Sequence, residues 1–311
     1  YVSYGNAHEV SGLVKTNDGG YVITSSVILT LGFNDPFWVL KIDASGNQVW
    51  DRVIEGNFED TNPKISTTND GGYIVAATSN SDAFVDKTEN SINGSYDFWI
   101  LKLDENGTIT WQNTIGGNSY DSVGSIFEYN DGGYLVSGSS NSNISGDKTE
   151  NSLGSSDYWV IKLNTVGIIE WQNTIGGAAG DPGKGSIQMN DGNFIIGGHS
   201  NSNISGDKTE NSRGDADFWI IKHGETLGLE ESSFNNAITL YPNPVQNTLQ
   251  INTQNKIIDK INIYSILGSR VRQLKAETVS PSVDVSNLAS GVYYVQLYSG
   301  KNVALKKFVK E

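Results

Sequence analysis

An all-β fold is predicted: a β-propeller-like array of four-stranded repeats, each about sixty residues long, followed by a small Ig-like β-sandwich. Three observations lead there. Residues 140–152, SNSNISGDKTENS, recur unchanged at 200–212. Around that repeat, three markers return at a steady interval, as expected when one supersecondary unit is stacked on copies of itself. Finally, the composition is rich in Gly (35 residues) and poor in Pro (6), with aromatic and β-branched residues dominating the apolar set, which favours strands and turns over helices.

The first marker is Asn17-Asp18-Gly19-Gly20-Tyr21, which returns at 69–73, at 130–134 and, weakened, at 190–194. The second is an aromatic-Trp-aliphatic run ending in Lys, with Trp38, Trp99, Trp159 and Trp219 in matching places. The third is Trp111-Gln112-Asn113-Thr114-Ile115-Gly116-Gly117, matched at 171–177 and loosely at 50–56. Together they delimit units of about 5–56, 57–117, 118–177 and 178–222.

Within the third unit, residues 123–128 and 134–139 flank Asn130-Asp131-Gly132-Gly133, a hairpin signal, because Asn, Asp and Gly accept the positive φ of a tight turn. Residues 157–163 form a third strand, and Asn164-Thr165-Val166-Gly167 turns the chain into a fourth, 168–174. The third strand is apolar on both faces: in the second unit Trp99, Leu101 and Leu103 point one way, Phe98 and Ile100 the other, with Lys102 expected to snorkel outward. Such a strand requires cover on both sides, as neighbouring blades provide, and the four Trp are expected in the core. The fourth unit ends at Lys222 without a clear fourth strand, while Tyr1 to Tyr4 align with the tail of one. This fits either a ring closed by its N-terminal strand or further units upstream, and the second is favoured.

The repeat resembles the Gly/Asp/Trp-rich propeller-like repeats common in secreted proteins of Bacteroidetes, matching on the DGGY turn, the (F/Y)W-aliphatic-aliphatic-K strand and WQNTIGG over residues 1–222.

Charge divides the chain. Residues 236–311 hold nine basic against four acidic side chains, whereas the rest is strongly acidic and the whole is −14 at pH 7. Such asymmetry marks a boundary, with 223–235 as linker. An acidic array repels phosphate backbones, so nucleic acid is not an expected partner. No apolar stretch reaches the roughly 20 residues of a transmembrane helix. The absence of Cys excludes disulfides and thiolate chemistry. The chain starts at Tyr1 and shows no signal segment, which reads as a mature form or fragment.

In a four-stranded meander the connection between strands two and three lies on the rim opposite the two hairpin turns. The long loops at 79–97, 140–157 and 200–217 gather there, together with Asp60, Asp121 and Asp181. Loops longer than about 12–15 residues usually carry function. Asp147, Glu150, Asn151 and Asp157, with Asp207, Glu210, Asn211 and Asp217, offer the hard oxygens that calcium prefers, and these two quartets are the candidate metal ligands. The competing reading makes them Asx turns and strand caps. Tyr96 and Tyr120 are aromatics able to stack on sugars. No catalytic motif is present, the three His fall at unrelated repeat positions, and no catalytic residue is nominated.

The C-terminal segment opens with Leu240-Tyr241-Pro242-Asn243-Pro244, continues through Ile261 to Gly268 and Leu288 to Leu297, and ends Lys306-Lys307-Phe308-Val309-Lys310-Glu311. About seven short strands fit it, as in a small β-sandwich. This segment, 236–311, resembles the type A C-terminal sorting domain of the type IX secretion system. By that resemblance Pro242, Asn243 and Pro244 form the opening motif, Gly268 the central turn, Leu288, Gly291 and Tyr293 the LxxGxY strand, and Lys306, Lys307 and Lys310 the basic tail. It implies export across the outer membrane, the type IX machinery and its sortase-like peptidase as partners, and a secreted or cell-surface location. The expected role of the repeats is binding or adhesion to glycan or protein. The alternatives are a carbohydrate-active hydrolase or lyase on the same scaffold, or a structural surface component.

Overall fold

The computed structural model describes residues 7–28, 35–189, 193–223, 234, 237–266, 269–300 and 302–311. Chain contacts divide it into two compact units, Tyr1–His223 and Gly224–Glu311. The first is a row of antiparallel meanders. Its sheets are β1 (Ala7–Lys15), β2 (Tyr21–Ile28), β3 (Phe37–Ile42) and β4 (Gln48–Ile54); β5 (Asp60–Thr67), β6 (Tyr73–Ser79), β7 (Asp97–Leu103) and β8 (Ile109–Ile115); β9 (Asp121–Glu128), β10 (Tyr134–Ser140), β11 (Asp157–Leu163) and β12 (Ile169–Ile175); and β13 (Gly183–Gln188), β14 (Phe194–Ser200) and β15 (Asp217–His223). Each of these four sheets pairs its strands in chain order. Among the described residues no closed propeller is found.

The first three sheets each start from an Asp-Gly-Gly hairpin. Asp70 Oδ1 accepts from Gly72 N at 3.0 Å and from Thr68 Oγ1, and Gly71 takes φ 85°, a left-handed value that a side chain resists. The same aspartate then reaches the Lys of the second marker: Asp18–Lys41 at 2.9 Å, Asp70–Lys102 at 2.9 Å and Asp131–Lys162 at 2.7 Å. Lys102 is buried and also donates to Leu103 O at 3.0 Å, so it does not snorkel outward as expected but folds back onto the hairpin. The reason is local: a carboxylate and a carbonyl within reach satisfy the ammonium better than a long climb to water.

The two apolar faces of the third strand separate as expected. Trp99, Leu101 and Leu103 pack towards the first sheet with Phe37, Val39 and Ile54. Phe98 and Ile100 pack towards the third sheet with Val136, Trp159 and Ile161. Aromatic pairs repeat at each junction: Phe37–Trp99 (5.7 Å), Phe98–Trp159 (5.2 Å) and Tyr158–Trp219 (5.3 Å), then Trp50–Tyr73 (5.9 Å), Trp111–Tyr134 (5.6 Å) and Trp171–Phe194 (6.0 Å). Each such pair contributes about 0.5–1.5 kcal/mol beyond the area it buries. Trp38, Trp99 and Trp159 are buried, but Trp219 is only half-buried, which corrects the expectation of four core Trp. The physical reason is position, because among the described residues β15 is the outer strand of the last sheet.

The second unit holds two sheets. One joins β16 (Thr239–Tyr241), β17 (Thr248–Asn252) and β20 (Ser282–Asp284); the other runs β19 (Arg270–Val279), β18 (Ile257–Ser265), β21 (Gly291–Ser299), β22 (Asn302–Lys310). Their facing residues form a single apolar core, with Leu249, Ile251, Ile261, Ile263, Val295, Leu297 and Phe308 among its members. These alternate along their strands, as a half-buried pleat demands.

Candidate functional site on the long-loop rim

Each long loop leaves strand two at a serine and returns at an aspartate, and the two ends are tied together. Asp60, Asp121 and Asp181, all fully buried, accept from Gly56, Gly117 and Gly177 N at 2.7, 2.7 and 2.6 Å. Ser142 and Ser202 hydroxyls donate to Asp121 and Asp181 at 3.0 and 2.7 Å. The second glycine of the Gly-Gly pair is required by close approach: a Cβ on Gly117 would lie 2.4 Å from the Ser142 side chain. The first is required too, since a Cβ on Gly116 would lie 1.8 Å from Asp97 Oδ1, and one on Gly176 1.8 Å from Asp157 Oδ1. Thus WQNTIGG and the loop are parts of one construction.

A buried lysine sits in each loop. Lys87, Lys148 and Lys208 lie over the rings of Trp99, Trp159 and Trp219 at 5.2, 4.9 and 5.4 Å. A desolvated cation over an indole face gains about 2 kcal/mol, which offsets part of its burial cost. Lys87 donates to Thr114 Oγ1 at 2.7 Å and Lys148 to Thr174 Oγ1 at 2.5 Å. Burial pulls both ammonium groups down to about 8. Sequence reasoning missed these lysines, although the Asp-Lys-Thr-Glu-Asn-Ser run in three loops marks them.

The residues nominated for calcium are distributed through this construction. Asp157 Oδ2 accepts from Leu153 N at 2.6 Å, from Gly154 N at 3.2 Å and from Ser152 Oγ. Glu150 accepts from Thr174 N at 2.6 Å, and Asn151 from Ile144 N at 3.1 Å. The buried Asp147 donates through its backbone to Gly116 O at 2.9 Å. In the last unit Asp207 Oδ2 accepts from Gly176 N at 3.1 Å, Asn211 from Ile204 N at 3.1 Å and Asp217 from Arg213 N at 2.6 Å, while Glu210 pairs with Arg213 at 3.8 Å. These contacts are turn and strand caps. Among the described residues, no three acidic or imidazole side chains come close enough together to hold a metal ion.

The burial of these carboxylates is costly and leaves a mark. Burial pushes Asp97 up to about 8, and the neighbouring Asp121 and Asp147 add to it. Asp60, Asp121 and Asp157 are raised for the same first reason. One oxygen each of Asp97, Asp121 and Asp157 is buried without a hydrogen-bond partner, a state that favours the protonated acid.

The rim also carries exposed groups. Tyr96 and Tyr120 pack at 5.1 Å between centroids, and Tyr120 is 47% exposed. The Tyr96 hydroxyl donates to Glu59; burial first and this carboxylate second push it up to about 12. Both tyrosines are pinned by backbone bonds, Asp121 N to Tyr96 O at 2.8 Å and Asn141 N to Tyr120 O at 2.9 Å. Ile144 and Ile204 occupy the same turn of successive loops, each 62% exposed.

In the second unit, the opening and closing motifs meet. Asn243 Oδ1 accepts from Val309 N at 2.9 Å and its Nδ2 donates to Lys307 O at 3.3 Å, while Val245 N donates to Val309 O at 2.8 Å. Pro242 and Pro244 follow cis bonds on either side of Asn243. Tyr293 stacks on Phe308 at 5.6 Å and donates to Ala289 O at 3.0 Å, just past the half-buried Leu288. Gly291 starts β21 against Lys310, Lys306 is half-buried, and Lys307 is exposed. Gly268 lies outside the described residues.

No curated protein matches the chain. Among solved structures, similarity is found to a cobalt-substituted apocarotenoid oxygenase of Synechocystis, at 10% identity and TM-score 0.37 over 89% of this chain and 65% of that one. A chimera of that oxygenase with RPE65 gives 10% identity and TM-score 0.38 over 96% of this chain and 65% of that one. The chain therefore spans 65% of the length of these structures, and likeness at this level extends to no statement about activity. The informative match is at the other end: residues 239–311 fit the family model of the secretion system C-terminal sorting domain. The C-terminal unit is a sorting domain of the type IX secretion route, and the protein that carries it is a secreted or cell-surface protein.

Proposed function

We propose that residues 1–222 are a binding or adhesion module for a glycan or protein ligand, joined by the linker 223–235 to the export domain at 236–311. The observation that carries this reading is the Tyr96–Tyr120 pair with Glu59 on the long-loop rim. A half-exposed ring fixed by backbone bonds presents a flat apolar surface, and a carboxylate beside it accepts from hydroxyls. That combination suits a sugar face or an aromatic-rich peptide at little entropic cost. The equivalent Ile144 and Ile204 add the same contact in successive units, which favours an extended or repetitive ligand through multivalency. The aspartates with raised pKa, led by Asp97, are wholly enclosed and do not meet solvent, which weighs towards binding over hydrolysis.

A glycan-array screen of the full chain, with and without calcium and followed by product analysis of each hit, tests the reading. Binding without turnover is expected, and Tyr120→Ala should weaken it at least tenfold. Cleavage products would replace the binder by a carbohydrate-active enzyme.

A further inference from the structure

Among the described residues the last sheet lacks the fourth strand that the other three sheets of the row carry. In the second unit β7 pairs with β8 in the register Phe98–Ile115, Trp99–Thr114, Ile100–Asn113, Leu101–Gln112, Lys102–Trp111. A side-chain clamp fixes that register. Gln112 Oε1 accepts from Trp99 Nε1 at 2.9 Å and from Thr88 N at 3.2 Å, and its Nε2 donates to Asp86 O at 2.6 Å. Thr114 N donates to Glu89 at 2.7 Å, and Thr114 Oγ1 accepts from Lys87 at 2.7 Å. The third unit repeats every contact. There Gln172 meets Trp159 Nε1, Thr149 N and Asp147 O at 3.0, 3.2 and 2.7 Å, and Thr174 meets Glu150 and Lys148 at 2.6 and 2.5 Å.

The fourth unit has the reading half of this clamp. Trp219, Thr209, Asp207, Glu210 and Lys208 stand at the matching positions, and Lys208 already lies over the Trp219 ring. Among the described residues β15 is the outer strand of a three-stranded sheet. Along it runs a cavity of about 450 Å³ whose lining includes Lys208, Thr209, Glu210, Trp219 and Ile220. Two clamp members have turned elsewhere: Lys208 donates to Ser200 Oγ at 2.9 Å, and the exposed Glu210 reaches Arg213 at 3.8 Å. Beside the edge Phe218 is 95% exposed, whereas its counterpart Phe98 is wholly buried. An uncovered apolar edge strand is a template for pairing.

We propose that β15 and its loop form a strand-addition site for another polypeptide, and that the segment it selects reads Trp-Gln-x-Thr. The main chain of the incoming strand pairs antiparallel with Phe218–Ile221. Its Gln enters the cavity to meet Trp219, Thr209 and Asp207, and its Thr meets Glu210 and Lys208. Affinity comes from the main-chain ladder and selectivity from the Gln and Thr pockets, the division of labour usual in strand addition. This site is separate from the Tyr96–Tyr120 rim and does not depend on it.

The test uses the full chain and a labelled peptide of residues 109–117, ITWQNTIGG. Fluorescence anisotropy should show saturable binding, at least tenfold weaker for a scrambled peptide and about tenfold weaker when the peptide's Gln is replaced by Ala. Glu210→Ala, on the surface, should weaken it three- to tenfold with unchanged circular dichroism, whereas Tyr120→Ala should leave it unaltered. Hydrogen exchange of Phe218–Ile221 should slow on peptide addition. Equal binding of the scrambled peptide overturns the proposal. So does slow exchange along β15 in the chain alone: in a monomer the chain covers its own edge, and in a dimer a second copy does.

Discussion

The repeat array and the C-terminal unit are both all-β, but they bury different chemistry. Between its sheets and loops the array encloses Asp60, Asp97, Asp121, Asp157, Asp181, Lys87, Lys148 and Lys208 along with its aromatics. The C-terminal unit buries hydrocarbon and ring carbon, from Phe234 and Ile238 to Phe308, and its wholly buried polar side chains, Thr253, Asn262 and Gln296, are uncharged. A hydrocarbon core accepts any side chains of suitable volume and alternation, whereas a buried carboxylate needs particular donors at particular places. The array should therefore be intolerant of small backbone changes and sensitive to pH, and the C-terminal unit sensitive mainly to lost volume.

The largest expected effect breaks the polar construction of the array. Gly116→Ala places a β-carbon where Asp97 Oδ1 already sits, and both belong to paired strands or the turn beside them. The expected cost is about 4 kcal/mol or more, so the array's thermal transition should collapse while the C-terminal transition stays. Gly185→Ala, with nothing within 4 Å of its β-carbon, is the control. If both variants melt alike, the Gly-Gly contact does not organise the loop.

Next comes the converse, Phe308→Ala, which empties a wholly buried site in the C-terminal core beside Tyr293. It should cost about 3–5 kcal/mol in that unit alone, read by calorimetry as the loss of one transition and not the other. Since Phe308 lies between the residues that hold Asn243, export of the variant should also fall.

The smallest effect sharpens the contrast through pH. An unfolded carboxyl titrates near 3.8, but folded Asp97 is held at about 8. Between those values the folded chain binds a proton that the unfolded chain has released, so raising the pH destabilises the array. Asp60, Asp121 and Asp157 act in the same direction. Above about 8 the sign reverses: unfolded lysine keeps its proton to about 10.5, while folded Lys87 and Lys148 release theirs near 8, so further increase stabilises. The array should show a stability minimum near pH 8, several degrees below its Tm at pH 5, with the C-terminal unit nearly flat. Asp97→Asn should flatten the acid side of the curve, and an unchanged slope would assign it to other groups.

Much of this was legible before any coordinates. The recurrence of Asp-Gly-Gly-Tyr, Trp-Gln-Asn-Thr-Ile-Gly-Gly and the Trp strand gives the strand order of each repeat, because turn residues and two-faced apolar runs are local signals. The opening Pro242-Asn243-Pro244 and the closing Lys306–Lys310 identified the C-terminal unit, but their meeting through Asn243 is a tertiary fact that spacing does not encode. Lys102 read as an outward-reaching chain because sequence shows its stem and not the Asp70 waiting on the hairpin. Trp219 read as core because its neighbours in sequence match those of Trp99; its exposure depends on what lies beyond β15. The loop carboxylates read as candidate ligands because a cap and a ligand use the same oxygens; the backbone amides that hold them are a tertiary fact that spacing does not encode.

The aromatic pairs at the junctions have an optical consequence. Each interface between successive sheets holds its own chromophore couple, with rings 5.2–6.0 Å apart and inclined at differing angles. At that separation transition dipoles mix, so each junction contributes a signed couplet to the near-ultraviolet spectrum, and light absorbed by Tyr158 is passed to Trp219 before it can be emitted. Tyrosine emission from the array should be quenched while the stack is whole and should return as junctions part, so that the opening of the row can be followed interface by interface without a label.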